Sequence, residues 1–380
     1  MNLGLSFRSL DFSSLSLFFG LLLHCAVGRN LKFVVVIFRH GDRSPMTTFP
    51  TNTVSEDVWP QGYGQLTKIG MQQQYEFGQY LKARYKNFLS PSYKAKEIYV
   101  RSTDCDRTIM SAQVNLAGFF PPSASEAWNP HIHWQPIPVH TVPLSQEKLL
   151  IYPNFHCPRF NQLLQQVRRD TTVRKTLKQY MITKHCNFIF QPLLRRTSRL
   201  LGYNLRKLLD FQNLLFWNAY DTLKVQKIHN HSLPVWADTE TMDYMKSFLE
   251  HLLIAAFEGK FRIEKSQLQG GNLVKHILGK IINCTTSHET KKMIMYSAHS
   301  MTIVALQTAL GVYNQFLPPY AACHIFELYE ENSGYYTIEM YYRNSTVDEP
   351  HPLILPGCSK ACPLEQFKKL VAPILPQKEC

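Results

Sequence analysis

Apolar positions along the chain fall into two rhythms. Leu31-Lys-Phe-Val-Val-Val-Ile-Phe38 is a continuous β-branched and aromatic run, the pattern of a strand buried on both faces. It breaks at Arg39-His-Gly-Asp-Arg-Ser-Pro45, whose Gly and Pro mark a loop. Between Gln65 and Phe88, Leu66, Ile69, Phe77, Leu81, Tyr85 and Phe88 recur at helical spacing, which predicts a helix. A short strand, Glu97-Ile-Tyr-Val100, runs into Arg101-Ser-Thr-Asp104, where Asp104 is placed to cap the helix that continues through Val114. Lys292-Met-Ile-Met-Tyr-Ser297 predicts a third strand, leading through Ala298-His-Ser-Met301 into an apolar helix ending at Leu310. Cys323–Tyr329 and Tyr335–Tyr342 predict a strand pair turning at Asn332-Ser-Gly334.

From about 160 to 285 the texture changes: Lys and Arg rise, strand patterns stop and helical periodicity dominates, as in Leu200–Leu209 and Met242–Phe257. The expected organisation is a mixed-sheet α/β domain over 29–160 and 286–380, interrupted by a helical insertion over 161–285. Residues 1–28 stand apart. Leu15 to Gly28 is an apolar run of signal-peptide length with small residues at Ala26 and Gly28, and it predicts cleavage near Arg29. It contains Ser and His and is shorter than the roughly 20 residues a membrane span needs, so a secreted, extracellular product with no span in the mature chain is expected.

Composition agrees with a folded exported protein. Hydrophobic residues make up 45% and aromatics 12%, which excludes a disordered chain. The formal charge of +13 arises from scattered Lys and Arg without a dense basic run, so nucleic-acid binding is not expected. Asn230-His-Ser232, Asn283-Cys-Thr285 and Asn344-Ser-Thr346 are N-glycosylation sequons. Nine cysteines fall to an even eight once Cys25 is removed with the leader, which suggests disulfides, although about 105 pairings are possible for eight. The one close pair, Cys358-Ser-Lys-Ala-Cys362, lacks a second pair at zinc-site spacing, so no metal is expected.

The candidate chemistry lies where strands give way to helices. Arg39, His40 and Arg43 follow the first strand, Arg101 the second and His299 the third. In open α/β sheets the ligand crevice lies outside the carboxyl ends of the strands, so these segments are expected to converge on one pocket. Guanidinium forks match phosphate oxygens two at a time. A single Arg after a strand is more often a salt-bridge partner and a single His more often structural; joint occurrence at three junctions is what favours an anion site.

Phe38-Arg-His-Gly-Asp-Arg-Ser-Pro45 resembles the signature loop of the histidine acid phosphatases. The similarity extends through Trp59–Thr67, Tyr99–Thr108, Trp134–Pro143, Met295–His299, Leu317–Cys323 and Leu355–Cys358. The resemblance implies a phosphoglycerate mutase-like fold and hydrolysis of phosphate monoesters in two steps without a cofactor. His40 would form a phosphohistidine, with Arg39, Arg43, Arg101 and His299 holding the phosphoryl oxygens; Asp42 would orient the loop. It also implies a homodimer, with Trp134 and His140 in the segment to inspect for its interface, and disulfides Cys157–Cys380 and Cys358–Cys362. Cys323 would be a buried thiol or would pair with Cys186 or Cys284, and Cys105 would be a small core residue.

One position departs from the pattern. The family motif ends His-Asp, the Asp protonating the leaving alcohol; here it reads His299-Ser300. A hydroxyl is too weak an acid for that step, and general acid catalysis is worth about 10² to 10⁴ in rate. Two readings follow: a secreted acid phosphatase that depends on a good leaving group, or a pseudophosphatase that binds phosphate esters without turning them over.

Overall fold

The computed structural model describes residues 28–151, 157–169, 190–204, 207, 214–286 and 291–377. Most of the expected leader, together with Cys186 and Cys380, lies outside the described residues.

A seven-stranded mixed sheet carries the fold. Strand β1 (Asn30–Arg39) is its centre, with β3 (Met293–Ala298) parallel on one side and β4 (Cys323–Glu330) antiparallel on the other. β2 (Ile98–Ser102) extends the parallel half as its edge. β5 (Tyr336–Arg343) pairs antiparallel with β4, as the apolar hairpin pattern predicts, and the short β6 (His351–Leu353) and β7 (Cys362–Pro363) both pair with β5.

Alternate residues of the sheet feed two cores. Val34, Val36, Phe38, Val100 and Met295 point to one face, covered by Phe77 and Leu81 of α1 (Lys68–Arg84) and Leu116 and Phe119 of α2 (Asp106–Phe119). Val35, Ile37, Ile294, Tyr296 and Phe326 point to the other. There they meet helices that include α8 (Gly270–Thr286), α9 (Ser300–Leu310) and α10 (Leu364–Val371). A strand with helices on both faces must be apolar at every position, and Val34 to Phe38 are all buried. The unbroken run in the sequence has this cause.

All regular structure described between Pro158 and Thr286 is helical: α3 (Pro158–Arg169), α4 (Phe190–Leu200), α5 (Leu215–Ile228), α6 (Thr239–Phe257), α7 (Arg262–Leu268) and α8. Residues of α5 and α6 form a separate apolar cluster with Phe49, whereas α8 lies directly on the sheet.

Three local expectations shift. Helix α1 begins at Lys68, because the Thr67 side chain accepts from the Gly70 amide and caps it there; Leu66 is buried ahead of the helix and Ile69 is exposed. Asp104 does not cap α2. Cys105 is the N-cap and contributes no side-chain bond, while Asp106 places its carboxylate in the first turn, where the helix dipole favours it. The third shift, at the end of β2, changes the site.

Candidate active site

The loop after β1 is pressed onto the start of α1. A Cβ on Gly70 would stand 2.0 Å from the Asp42 carbonyl oxygen, and one on Gly41 would stand 2.3 Å from the Gly70 carbonyl oxygen. Only glycine at both positions allows this approach. Polar contacts then hold the loop: Gln74 Nε2 donates to the Arg39 carbonyl at 2.9 Å, the Asp42 amide donates to Gln73 Oε1 at 2.8 Å, and the Gly41 amide donates to Ser111 Oγ at 3.1 Å. Asp42 is fully buried. Its Oδ2 accepts from Thr67 Oγ1 at 2.6 Å and meets His229 Nε2 at 2.7 Å, so it ties the loop to the end of α5.

This frame sets the chemistry of His40. Its Nδ1 donates to the Gly41 carbonyl at 2.7 Å, so the proton is on Nδ1 and the Nε2 lone pair is left for an electrophile. Burial pushes the imidazole well below its ordinary titration range, and Arg39, Arg107, Arg43 and His299 push it further. Both effects favour the neutral imidazole. The His299 ring lies 5.7 Å away, edge-on, with its Nε2 3.0 Å from Thr103 Oγ1. His299 too is held low by burial and then by Arg107, Arg39 and Arg43.

The arginines are positioned without being neutralised as a group. Arg39 donates to the Pro318 carbonyl at 2.7 Å and lies 4.0 Å over the Tyr320 ring. Arg43 forms a two-point ion pair with Asp221 of α5, at 2.8 and 3.0 Å. The Nε atoms of Arg39, Arg43 and Arg107, like that of Arg101, are buried without a hydrogen-bond partner. Such an array of donors beside a neutral imidazole suits a compact dianion. Ser300 is nearly buried at the start of α9, next to His299, and presents a hydroxyl there.

Arg101 is not part of this assembly. β2 continues to Ser102, so Arg101 belongs to the strand and not to the junction. Successive strand residues face opposite sides: Val100 faces α1 and α2, and Arg101 turns to the other face. There its Nη2 meets both oxygens of the buried Glu147, at 2.9 and 2.7 Å. Glu147 Oε1 also accepts from the amides of Leu149 and Leu150, which completes its solvation. The third arginine acting on both histidines is Arg107, in the first turn of α2, which sequence reasoning did not single out. Its signal in the sequence is its place just inside the helix that follows β2, a strand that runs two residues past Val100. Tyr320, in the loop before β4, was also missed. Its ring lies 5.9 Å from that of His40, and burial raises its phenol to about 12.

Of the expected disulfides, Cys358–Cys362 is formed. Cys157 is disulfide-bonded, but Cys380 lies outside the described residues. Cys323 is a buried thiol pushed up to about 12 by burial, and Cys105 is unpaired. Asn230, Asn283 and Asn344 are exposed. Among the described residues no helix is long and apolar enough to cross a membrane, and no group of three or more His, Cys, Asp or Glu side chains is placed to hold a metal.

Comparison with known proteins places this geometry. Residues 30–343 match the profile described as "Histidine phosphatase superfamily (branch 2)". The chain is 48% identical over 370 residues to the prostatic acid phosphatase of Homo sapiens, covering 97% of this chain and 92% of that protein. It is 43% identical over 355 residues to the lysosomal acid phosphatase of Rattus norvegicus, covering 93% and 80%. In structure it is similar to the phytase of Citrobacter braakii, with TM-score 0.64 at 14% identity over 91% of this chain and 98% of the other; at that identity the likeness speaks for the fold. A family match over most of the length, on a mixed α/β fold with His40 at the carboxyl end of its central strand, means that this chain belongs to the histidine phosphatase superfamily, branch 2.

Proposed function

We propose that the protein is an acid phosphatase that hydrolyses phosphate monoesters through a phosphohistidine on His40. The observation that carries this reading is the tautomer of His40: with Nδ1 bonded to the Gly41 carbonyl, Nε2 is the free nucleophile beside three arginines. His40 Nε2 attacks phosphorus and the ester P–O bond breaks. Water then attacks the phosphohistidine, releasing inorganic phosphate and restoring the neutral imidazole. Arg39, Arg43, Arg107 and His299 hold the phosphoryl oxygens and stabilise the charge that gathers on them in the transition state.

Ser300 makes the first step dependent on the leaving group. Without a carboxylic acid at that position an alkyl alcohol departs as a poorly stabilised alkoxide, whereas a phenolate needs less protonation. Aryl phosphates are therefore the better substrates. The second reading, a binding protein without turnover, has the same serine in its favour; the intact nucleophile favours the enzyme. Rapid mixing with phenyl phosphate followed by mass spectrometry is expected to find phosphate on His40 and none on His40→Ala. Absence of label on the folded wild type would leave the binding protein as the reading.

Export and assembly belong to the same proposal. Solvent-exposed Asn230, Asn283 and Asn344 support a secreted glycoprotein. Exposed Trp128, Ile132 and Trp134 lie in the segment that leads to His140, which bonds β2 through the Val100 carbonyl and the Ser102 amide. That patch supports a homodimer, and sedimentation of the purified protein tests it.

A further inference from the structure

Helix α5 brings two charged side chains to the same side of the pocket. Asp221 and Lys224 are three residues apart, on one helical face. Asp221 is committed to Arg43 through both oxygens. Lys224 has no such partner: among the described residues its ammonium forms no hydrogen bond and no ion pair within salt-bridge reach, and it lies 5.7 Å from the centre of the Tyr320 ring. Arg39 covers that ring at 4.0 Å, and the ring itself stands 5.9 Å from His40. Tyr320 thus has both Arg39 of the phosphoryl pocket and Lys224, which has no carboxylate partner of its own, over its ring.

We propose that Lys224 is a specificity-determining residue which recognises a carboxylate carried by the leaving alcohol or phenol of the ester, so that the preferred substrates are phosphate monoesters with a second, singly charged anion. This rests on the reading of the pocket as a phosphomonoester site. A single ammonium on a flexible stem is a compact point charge with three donors and balances one negative charge. The phosphoryl group is already matched by guanidinium forks. The ammonium is also costly where it stands: burial lowers it to about 8, with Arg39, Lys246 and Arg43 adding repulsion and only Asp221 opposing. A carboxylate placed there would relieve that repulsion, and a neutral leaving group would leave it in force.

The test compares ligands that differ by one carboxylate and need no turnover: phenylphosphonate and 3-carboxyphenylphosphonate, measured by calorimetry on the full chain. Wild type is expected to bind the carboxylated member about tenfold more tightly, the usual worth of a charge-assisted hydrogen bond. The ratio should fall to about one in Lys224→Met and persist in Lys224→Arg. It should also fade as pH rises through about 8. Arg39 and Arg43 keep their charge there, Tyr320 titrates only near 12, and the ionisation of the phosphonate cancels in the ratio. Equal binding of the pair by wild type, or a ratio that survives Lys224→Met, would overturn the assignment. If the methionine variant does not fold, the wild-type ratio and its pH dependence decide. Failure of His40 to become phosphorylated would refute the hydrolytic reading without altering this ratio, so the two failures are distinguishable.

Discussion

Arg101 and Arg107 leave the same short stretch of chain and meet different surroundings. Arg101, in β2, lies against a carboxylate that is buried and further bonded by two backbone amides. Its charge is consumed locally. Arg107, in the first turn of α2, faces Arg39, Arg43, His40 and His299, and burial together with the neighbouring Arg43 lowers its own proton affinity. Its charge is directed into the pocket. What an arginine does is set by what confronts it, and here a strand and the helix that follows it carry two arginines six residues apart to different surroundings.

The sharpest break of this comparison is a pair of substitutions. Arg107→Ala is expected to lower kcat/KM for phenyl phosphate by about 10² to 10³, the cost of losing one donor to transition-state charge, with the melting temperature little changed. Arg101→Ala should do the reverse. It strands Glu147 as a buried charge, and a loss of about 3 kcal/mol in urea unfolding is expected. Comparable loss of activity in both variants, with stability intact, would show that Arg101 serves the site after all.

Ser300→Asp tests the same pocket by gain. A carboxylic acid beside His299 should raise turnover of an alkyl phosphate by about 10² to 10⁴ and of an aryl phosphate by less. Equal, high alkyl phosphatase activity in wild type and variant would mean that another acid already protonates the leaving group.

A smaller effect separates the neutral imidazoles of the site from a structural one. His324, in β4, is fully buried with neither ring nitrogen bonded, and burial lowers it to about 3. The unfolded chain protonates this residue below about 6.5 while the folded chain does not, so stability falls as pH drops from there toward 3. His324→Phe removes that contribution. Going from pH 7.5 to pH 5, the variant should lose about 1–2 kcal/mol less than wild type, measured by urea unfolding at the two pH values. Identical pH slopes would show that His324 is protonated in the fold.

Much of this molecule is legible in one dimension. The apolar run before Arg39 announces a central strand, and the strand-to-helix junctions locate His40 and His299, because burial on two faces and exit at a strand end both leave short-range marks. The serine at position 300 is visible as a local departure from a motif, whereas the need for glycine at 41 and 70 appears only when the loop after β1 meets α1. The sequence alone determined the mixed α/β class, the signature loop and the serine that follows His299. Tertiary structure decided which arginine enters the pocket, since the pleat reverses a side chain at every residue and the end of β2 depends on pairing with β3. It also decided that Asp221 holds Arg43, that Asp42 meets His229, and that Lys224 stands near Tyr320. Each of these joins the loop after β1, or the loop before β4, to a helix far away in the chain, and no local pattern encodes a contact whose partners are brought together only by the packing of helices above the sheet.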